Sequence, residues 1–254
     1  MHPVLFKIGP LTLHTYGFFV ALGFLLGLVW CSRESRKRQL DPEIIPDLFF
    51  YVVIAALVGA RLLYVLLNIS YFSRHPLAVF KIWEGGLVFY GGFLAAVPVL
   101  IWRIRRWRRP ALEILDVAAP GLVLAQAVGR LGCLSAGCCY GRACSSRIGI
   151  VFTSPLSHAP LHQPLYPTQL FHAAADLFIF LVLVGLSRKA SRPGVVAVCY
   201  LVLYGALRFT VEFWRGDPRG FFAGLSTSQW ISLVLIGCGL LLWFFKVGRE
   251  TGDV

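Results

Sequence analysis

Three arginines stand in, or at the edge of, strongly apolar segments: Arg61, Arg130 and Arg208. A cation at bilayer depth costs roughly 2.5–3.5 kcal/mol on insertion scales. Such residues normally face a bundle interior and hold an anion or line a pathway. Their places on three different apolar segments point to a buried site for a negatively charged group. The densest block is GRLGCLSAGCCYG, Gly129 to Gly141. Its glycines permit tight turns and close backbone approach. An arginine beside such turns suits a phosphate, because its planar fork makes two parallel charge-assisted hydrogen bonds to phosphate oxygens. An arginine snorkelling to the interface, with glycines serving helix packing, explains the same spacing equally well.

A second block, YGALRFTVEFWR, runs from Tyr204 to Arg215. Tyr204, Arg208, Glu212 and Arg215 recur at helical spacing and are expected on one face. Arg208 and Glu212 form an i, i+4 pair that would neutralise within a membrane. That pair alone could be structural; Tyr204 and Arg215 on the same stripe favour a polar cavity. In GARLLY (Gly59 to Tyr64), Arg61 is expected to pair with a carboxylate or carbonyl in a structural role. HTYG (His14 to Gly17) opens the first apolar segment, with Tyr16 facing the bundle. In EGGLVFYGG (Glu84 to Gly92) the glycine pairs suggest a broken or re-entrant entry into the third segment, with Tyr90 offering a phenol to the cavity. Cys133, Cys138, Cys139 and Cys144 cluster after the fourth segment. On an oxidising face a disulfide is the first expectation. A thiolate metal site lacks the usual zinc-finger spacing, and a catalytic thiol is the third option. The expectation is therefore no metal and no cofactor. Cys31, Cys199 and Cys238 lie inside apolar segments and read as packing residues.

The elements that must position these groups are legible in the hydropathy. The chain has 254 residues, 57% of them hydrophobic and 14% charged. That exceeds the roughly 45–50% apolar content of a soluble domain. Seven apolar segments, each near the ~20 residues of a spanning helix, lie around 16–31, 48–68, 87–102, 112–132, 168–186, 194–214 and 229–245. The third and fourth are interrupted by glycine and proline. The expected fold is an all-α integral membrane protein, a bundle of about seven transmembrane helices in a single polytopic domain over residues 1–254. The formal charge of +12 sits in short loops between apolar runs, with no basic face to track nucleic acid. Arg33, Arg36, Lys37 and Arg38 follow the first segment; Arg103, Arg105, Arg106, Arg108 and Arg109 the third; Arg188, Lys189 and Arg192 the fifth; Lys246 and Arg249 the last. By the positive-inside rule this puts the N-terminus outside and the C-terminus in the cytoplasm. No cleavable signal peptide is expected at MHPVLFKIGP, which has only Lys7 as a basic flank. Aromatics near segment ends, such as Tyr71, Trp83 and Trp230, read as interfacial anchors.

Taken in order, HTYG, GARLLYVL, EGGLVFYGG, GRLGCLSAGCCYG, YPTQLF and YGALRFTVEFWR resemble the bacterial phosphatidylglycerol–prolipoprotein diacylglyceryl transferase family, from His14 to about Arg215. The resemblance implies a multi-pass enzyme of the bacterial cytoplasmic (inner) membrane with its active site toward the extracytoplasmic side. Its partners would be phosphatidylglycerol and prolipoprotein signal peptides bearing a lipobox cysteine. It would move a diacylglyceryl group to that cysteine's thiol, forming a thioether and releasing glycerol phosphate, the first step of lipoprotein maturation. The resemblance puts Arg130 on the phospholipid phosphate and Arg208 on the second essential arginine. Tyr16, Tyr204 and Glu212 take family positions in the catalytic set. Gly141, the signature's last glycine, and Arg61 join Arg130, Arg208 and Cys133 in the substrate-binding set, with Arg61 and Gln169 also serving as supports. Three departures stand out. Tyr90 replaces a histidine that is a candidate base. Cys133 replaces an asparagine in the substrate-binding signature, and Cys138 an acidic residue. A phenol has an ordinary pKa near ~10 against ~6.5 for histidine, so Tyr90 suits donation better than proton acceptance. The departures keep two further readings open: a divergent paralogue with another thiol or lipid acceptor, and a non-enzymatic phospholipid-binding or transport protein. Transport predicts paired repeats, and none is present.

Overall fold

A computed structural model describes residues 3–8, 11–82, 85–107, 110–145, 147–190 and 192–247. In chain order the elements are β1 (Val4–Ile8), β2 (Leu11–His14), α1 (Thr15–Lys37), α2 (Ile44–Leu67), α3 (Ile69–Phe72), α4 (Phe89–Arg106), α5 (Ala111–Ala136), β3 (Ile150–Val151), β4 (Pro164–Leu165), α6 (Thr168–Ser187), α7 (Val195–Val211), β5 (Phe221–Phe222), β6 (Leu225–Ser226) and α8 (Thr227–Leu242). The protein is mostly helical. The strands form three two-stranded antiparallel ribbons, β1–β2, β3–β4 and β5–β6, which an all-α expectation omits. The strands of β3–β4 and β5–β6 are two residues long, too short to register as an alternating pattern in sequence.

Six helices among the described residues are long and apolar enough to cross a membrane: α1, α2, α5, α6, α7 extended to Trp214, and α8 extended to Phe245. Helix α4 is 18 residues long and carries Arg103, Arg105 and Arg106 in its last turn, and it does not meet that description. The prolines that interrupt the third and fourth segments do not break them. Pro98 lies inside α4 and Pro120 inside α5.

The chain separates into two compact units, Met1–Cys31 with Leu115–Val254, and Ser32–Ile114. In the first, the core joins Ala119 and Val123 of α5, Ile179 and Leu183 of α6, and Val196 of α7. Helices α1 and α5 approach backbone to backbone. A Cβ on Gly27 would stand 2.7 Å from the Gly121 carbonyl oxygen, closer than any side chain tolerates. Small residues at such crossings are how helices pack in lipid, where no hydrophobic force drives them together. The buried Asp116 carboxylate accepts the backbone N–H groups of Gly194 (2.7 Å) and Ala197 (2.8 Å), satisfying the N-terminus of α7. A second small core of Phe152, Ala159 and Leu165 anchors the loop between α5 and α6.

In the second unit α2 and α4 pack through Gly59 and Gly91; a Cβ on Gly59 would lie 2.4 Å from the Gly91 carbonyl oxygen. Gly91 and Gly92 are therefore helical packing residues, and no break enters α4 at that pair. The turn falls earlier, at Gly85 and Gly86, whose φ values of 87° and 75° lie in the left-handed region. Glu84 and Trp83 fall outside the described residues. At the other end Asp47 pairs with Arg103, whose Nε donates at 2.8 Å, and accepts the Trp107 indole N–H at 3.1 Å. The Arg103 guanidinium lies 4.4 Å from the Tyr51 ring centre, a cation–π contact.

Candidate functional site

Helix α5 carries Arg130 two turns before its end. The helix closes with a Schellman pattern that places the next residues. Gly137 adopts φ 72°, its N–H donates to the Leu134 carbonyl (3.2 Å), and the Cys138 N–H donates to the Cys133 carbonyl (3.1 Å). Cys139 follows with φ 60°, also left-handed and strained for a residue with a side chain. The chain is thereby folded back so that the sulfurs of Cys133, Cys138 and Cys139 all lie within 4.8 Å of one another. No disulfide joins Cys133, Cys138, Cys139 or Cys144 in this structure, in contrast to the first expectation for this cluster.

Helix α6 locks this turn from the far side. Thr168 Oγ1 donates to the Cys139 carbonyl and Gln169 Nε2 to the Cys138 carbonyl, each at 2.8 Å. Both donors are fully buried. The following strand-like segment is wedged between two others. The Gly141 N–H donates to Tyr166 (3.1 Å), and the Arg142 N–H to Trp214 (2.9 Å). A Cβ on Gly141 would meet the Tyr166 carbonyl oxygen at 2.4 Å, so only glycine fits.

Among the described residues the Arg130 guanidinium has no hydrogen-bond or ion-pair partner, yet it lies within electrostatic reach of Tyr204, Cys133, Cys139 and Asp176. Tyr16, 45% exposed on the first turn of α1, faces the same three cysteines and Arg130. Tyr204 stacks on Tyr200, ring centres 5.5 Å apart, and Tyr200 is tied to Gln126 (3.1 Å). The sequence-read residues Arg130, Tyr16, Tyr204 and Cys133 are thus brought together around one open set of guanidinium donors.

Arg208 sits in the last turn of α7, where the helix's partial negative charge favours a cation. It contacts His172 Nε2 at 2.8 Å, donates to Ser228 Oγ at 2.8 Å and pairs with Glu212 at 3.5 Å. Glu212 also accepts from Arg219 at 3.0 Å and from the Ser226 hydroxyl at 2.9 Å. The expected four-residue stripe is shorter than the spacing suggests. The α-helix ends at Val211, Glu212–Trp214 form a 3₁₀ turn, and Arg215 is extended. Arg215 leaves the stripe and makes a two-point pair with Asp217, 2.8 Å at each point. Its Nη1 is buried with no hydrogen-bond partner among the described residues, and its side chain is only 2% exposed. Burial alone would raise the Asp217 carboxyl, but hydrogen bonds from Arg215 and Arg219 outweigh it and hold the group below the usual carboxylate range. The Cys138 thiol donates to the Cys133 carbonyl (3.7 Å), and Arg215 and Arg130 lie within electrostatic reach of Cys139.

Sequence reasoning missed two groups on α6. His172 and Asp176 are one turn apart and wholly buried. Because a guanidinium only donates, His172 Nε2 must accept from Arg208. Neither Asp176 oxygen has a hydrogen-bond partner among the described residues, and the carboxyl lies within electrostatic reach of Arg130 and Arg208. The signal was present: two titratable residues at i, i+4 inside an apolar segment are functional suspects by default. Arg219 was also missed, because it arrives from a loop with no periodicity to mark it.

Arg61 and Tyr90 belong to the other unit. The Arg61 donors all end on carbonyls: Nε on Val79 (2.8 Å), Nη1 on Gly85 (2.7 Å) and Gly86 (3.2 Å), Nη2 on Ala78 (2.5 Å) and Lys81 (3.3 Å). Five N–H groups on five carbonyls leave none for a ligand, so the substrate-binding assignment of Arg61 gives way to a loop-organising one. Tyr90 is 52% exposed near the start of α4 and touches Phe89 edge to face.

Comparison with known proteins supplies what geometry alone does not. A family model described as prolipoprotein diacylglyceryl transferase matches residues 3–245. The chain is 37% identical to the phosphatidylglycerol–prolipoprotein diacylglyceryl transferase of Clostridium tetani, with 98% of each chain covered. It is 35% identical to transferase 2 of that name from Clostridium perfringens, with 100% of both covered. It is 30% identical to the Streptococcus agalactiae enzyme, covering 97% of this chain and 96% of that one. With a match over nearly its full length and relatives of equal extent, the chain belongs to the prolipoprotein diacylglyceryl transferase family.

Proposed function

We propose that this protein transfers the diacylglyceryl group of phosphatidylglycerol to the lipobox cysteine thiol of prolipoproteins. The sulfur attacks the glyceryl carbon, a C–S bond forms, and the C–O bond to phosphate breaks with its electron pair leaving on glycerol phosphate. The observation that carries this reading is the Arg130 guanidinium, embedded in an apolar helix with its donors unpaired. A cation held without a protein partner is costly there unless an anion arrives. A phosphodiester supplies that anion, and donors fixed in advance stabilise the charge that grows on the leaving oxygen.

The other residues divide around it. Arg208 is the second cation, oriented by His172, Ser228 and Glu212. Tyr204 and Tyr16 present phenols beside Arg130. Gly141 lets the signature turn pass between Tyr166 and Trp214. Arg61, in the other unit, organises the loop before α4. The enzyme is a single polytopic domain of the inner membrane with seven spans, α4 among them, its N-terminus outside and its site toward the extracytoplasmic face. The basic clusters after α1, α4 and α6 support this orientation.

The test is direct. Purified protein given phosphatidylglycerol and a lipobox peptide should add one diacylglyceryl mass to the peptide thiol and none to a Cys→Ser peptide. If the peptide gains no mass while a known transferase is active under the same conditions, the reading fails.

A further inference from the structure

Alkylating a thiol requires removing its proton, and among the described residues the phosphate-binding side of the site offers no accessible imidazole or carboxylate base. The His172 Nε2 lone pair is occupied by Arg208, and the Asp176 carboxyl is wholly buried. What stands open beside Arg130 is the group of three thiols, Cys133, Cys138 and Cys139.

We infer that Cys133, Cys138 and Cys139 bind one thiophilic divalent ion, Zn²⁺, whose fourth coordination position takes the acceptor thiol. The inference rests on the transferase reading for the identity of that thiol, but not for the metal. Tetrahedral zinc with Zn–S distances of about 2.3 Å places its sulfurs about 3.8 Å apart. The three sulfurs already lie within 4.8 Å of one another, so only small rotamer adjustments are needed. The cluster is built rather than fortuitous. Its turn is fixed by the Schellman bonds, by the left-handed Cys139, and by buried Thr168 and Gln169 gripping two of its carbonyls. These are the outer bonds that hold ligands in place in metal sites. Three protein ligands with a vacant fourth position is the catalytic, not the structural, zinc arrangement. The charges agree: three thiolates and Zn²⁺ carry one net negative charge, and Arg130 and Arg215 both lie within electrostatic reach of Cys139. Arg215 Nη1 in particular is a buried donor that meets no hydrogen-bond acceptor among the described residues.

The step balances. The acceptor thiol binds the ion and loses its proton to water, since a coordinating thiol is deprotonated outright. The bound sulfur then attacks the glyceryl carbon, and glycerol phosphate leaves with the C–O electron pair. The product thioether is a weaker ligand than the thiolate it replaces and vacates the position.

The experiment uses the full chain purified in detergent with zinc chloride present, and reads metal content by mass spectrometry alongside a count of reduced thiols. About one zinc per chain is expected, falling to background in Cys133→Ser, Cys138→Ser and Cys139→Ser. It should be kept in Cys144→Ser and Cys238→Ser, which control for folding. Replacement with cobalt chloride should give a thiolate-to-cobalt absorption band that shifts on adding a lipobox peptide without phospholipid. Absence of stoichiometric metal from protein whose three thiols titrate as reduced would overturn the inference, as would a disulfide joining two of them in the native membrane. Full transfer by chelator-stripped protein would sink the zinc role and leave the transferase standing. Bound zinc with a peptide-responsive cobalt band but no transfer would uphold the site and sink the transferase.

Discussion

Replacing Arg130 separates catalysis from stability in a way few positions here allow. Its guanidinium has no protein partner among the described residues, so Arg130→Ala orphans no acceptor. It removes a desolvated cation instead, and the melting temperature in detergent is expected to hold or rise. The ligand loses two charge-assisted hydrogen bonds, each worth about 1.5–3 kcal/mol, or about 3–6 kcal/mol together. At about 1.36 kcal/mol per decade that is a fall of roughly 10²- to 10⁴-fold in kcat/KM. Arg130→Lys keeps the charge but loses the fork, and with one bond gone the fall is roughly 10- to 150-fold. The contrast is Arg208→Ala, which strips partners from His172, Ser228 and Glu212 and should lower activity and melting temperature together. The assay is peptide alkylation followed by mass spectrometry, with thermal unfolding in the same detergent. Arg130→Ala within about threefold of wild type, or losing stability in parallel as Arg208→Ala does, would refute the phosphate-clamp reasoning.

Arg61→Lys replaces five donors by at most three, so at least two carbonyls of the loop before α4 lose their partner. At about 1–3 kcal/mol each, a loss of roughly 2–6 kcal/mol should appear as a lower melting temperature in detergent. Asp217→Asn breaks the two-point pair with the nearly inaccessible Arg215 and should cost about 3 kcal/mol at neutral pH. The folded-state pKa of Asp217 is depressed, so its stabilisation is complete above the unfolded value near ~3.9 and is lost as pH falls through the lower folded value. The melting-temperature gap between wild type and Asp217→Asn should therefore be level from about pH 5 to 8 and narrow below about pH 4. Gly141→Ala drives a Cβ to 2.4 Å from the Tyr166 carbonyl oxygen and 2.9 Å from that of Trp214. Both are backbone atoms that cannot rotate aside, so activity and melting temperature should fall by at least the roughly 1–3 kcal/mol of an overpacked core.

The helices were legible because lipid enforces long apolar runs, and even the proline-bearing α4 and α5 sit where hydropathy puts them. Their charged contents were legible less evenly. Arg208 and Glu212 share a helix, so spacing alone pairs them, and the 3.5 Å contact follows. Arg215 was misplaced because three residues of 3₁₀ turn intervene, and no residue type there announces the change. Arg61 read as structural, but its partners are carbonyls 17 to 25 positions away, and any residue type supplies a carbonyl. The thiol cluster was hidden by its own geometry. A spacing of four residues and then none matches no usual finger, and only the left-handed backbone at Gly137 and Cys139 brings the sulfurs together.

One short segment carries both halves of the proposed chemistry. Arg130 and Cys133 are three residues apart on α5, hence on one face and separated by about 4.5 Å along the axis. Cys138 and Cys139 return to that same face through the turn that ends the helix. In-line displacement at carbon puts the attacking sulfur and the leaving oxygen on opposite sides, about 3–3.5 Å plus one bond length apart, or roughly 5 Å. A guanidinium for the phosphate and the thiols proposed to hold the ion for the acceptor sulfur thus sit on one helix and the turn that ends it. The departures of Cys133 and Cys138 fall on the sulfur side of that span and leave the arginine side intact. That division is what a change of proton-handling device, with the lipid donor unchanged, would produce.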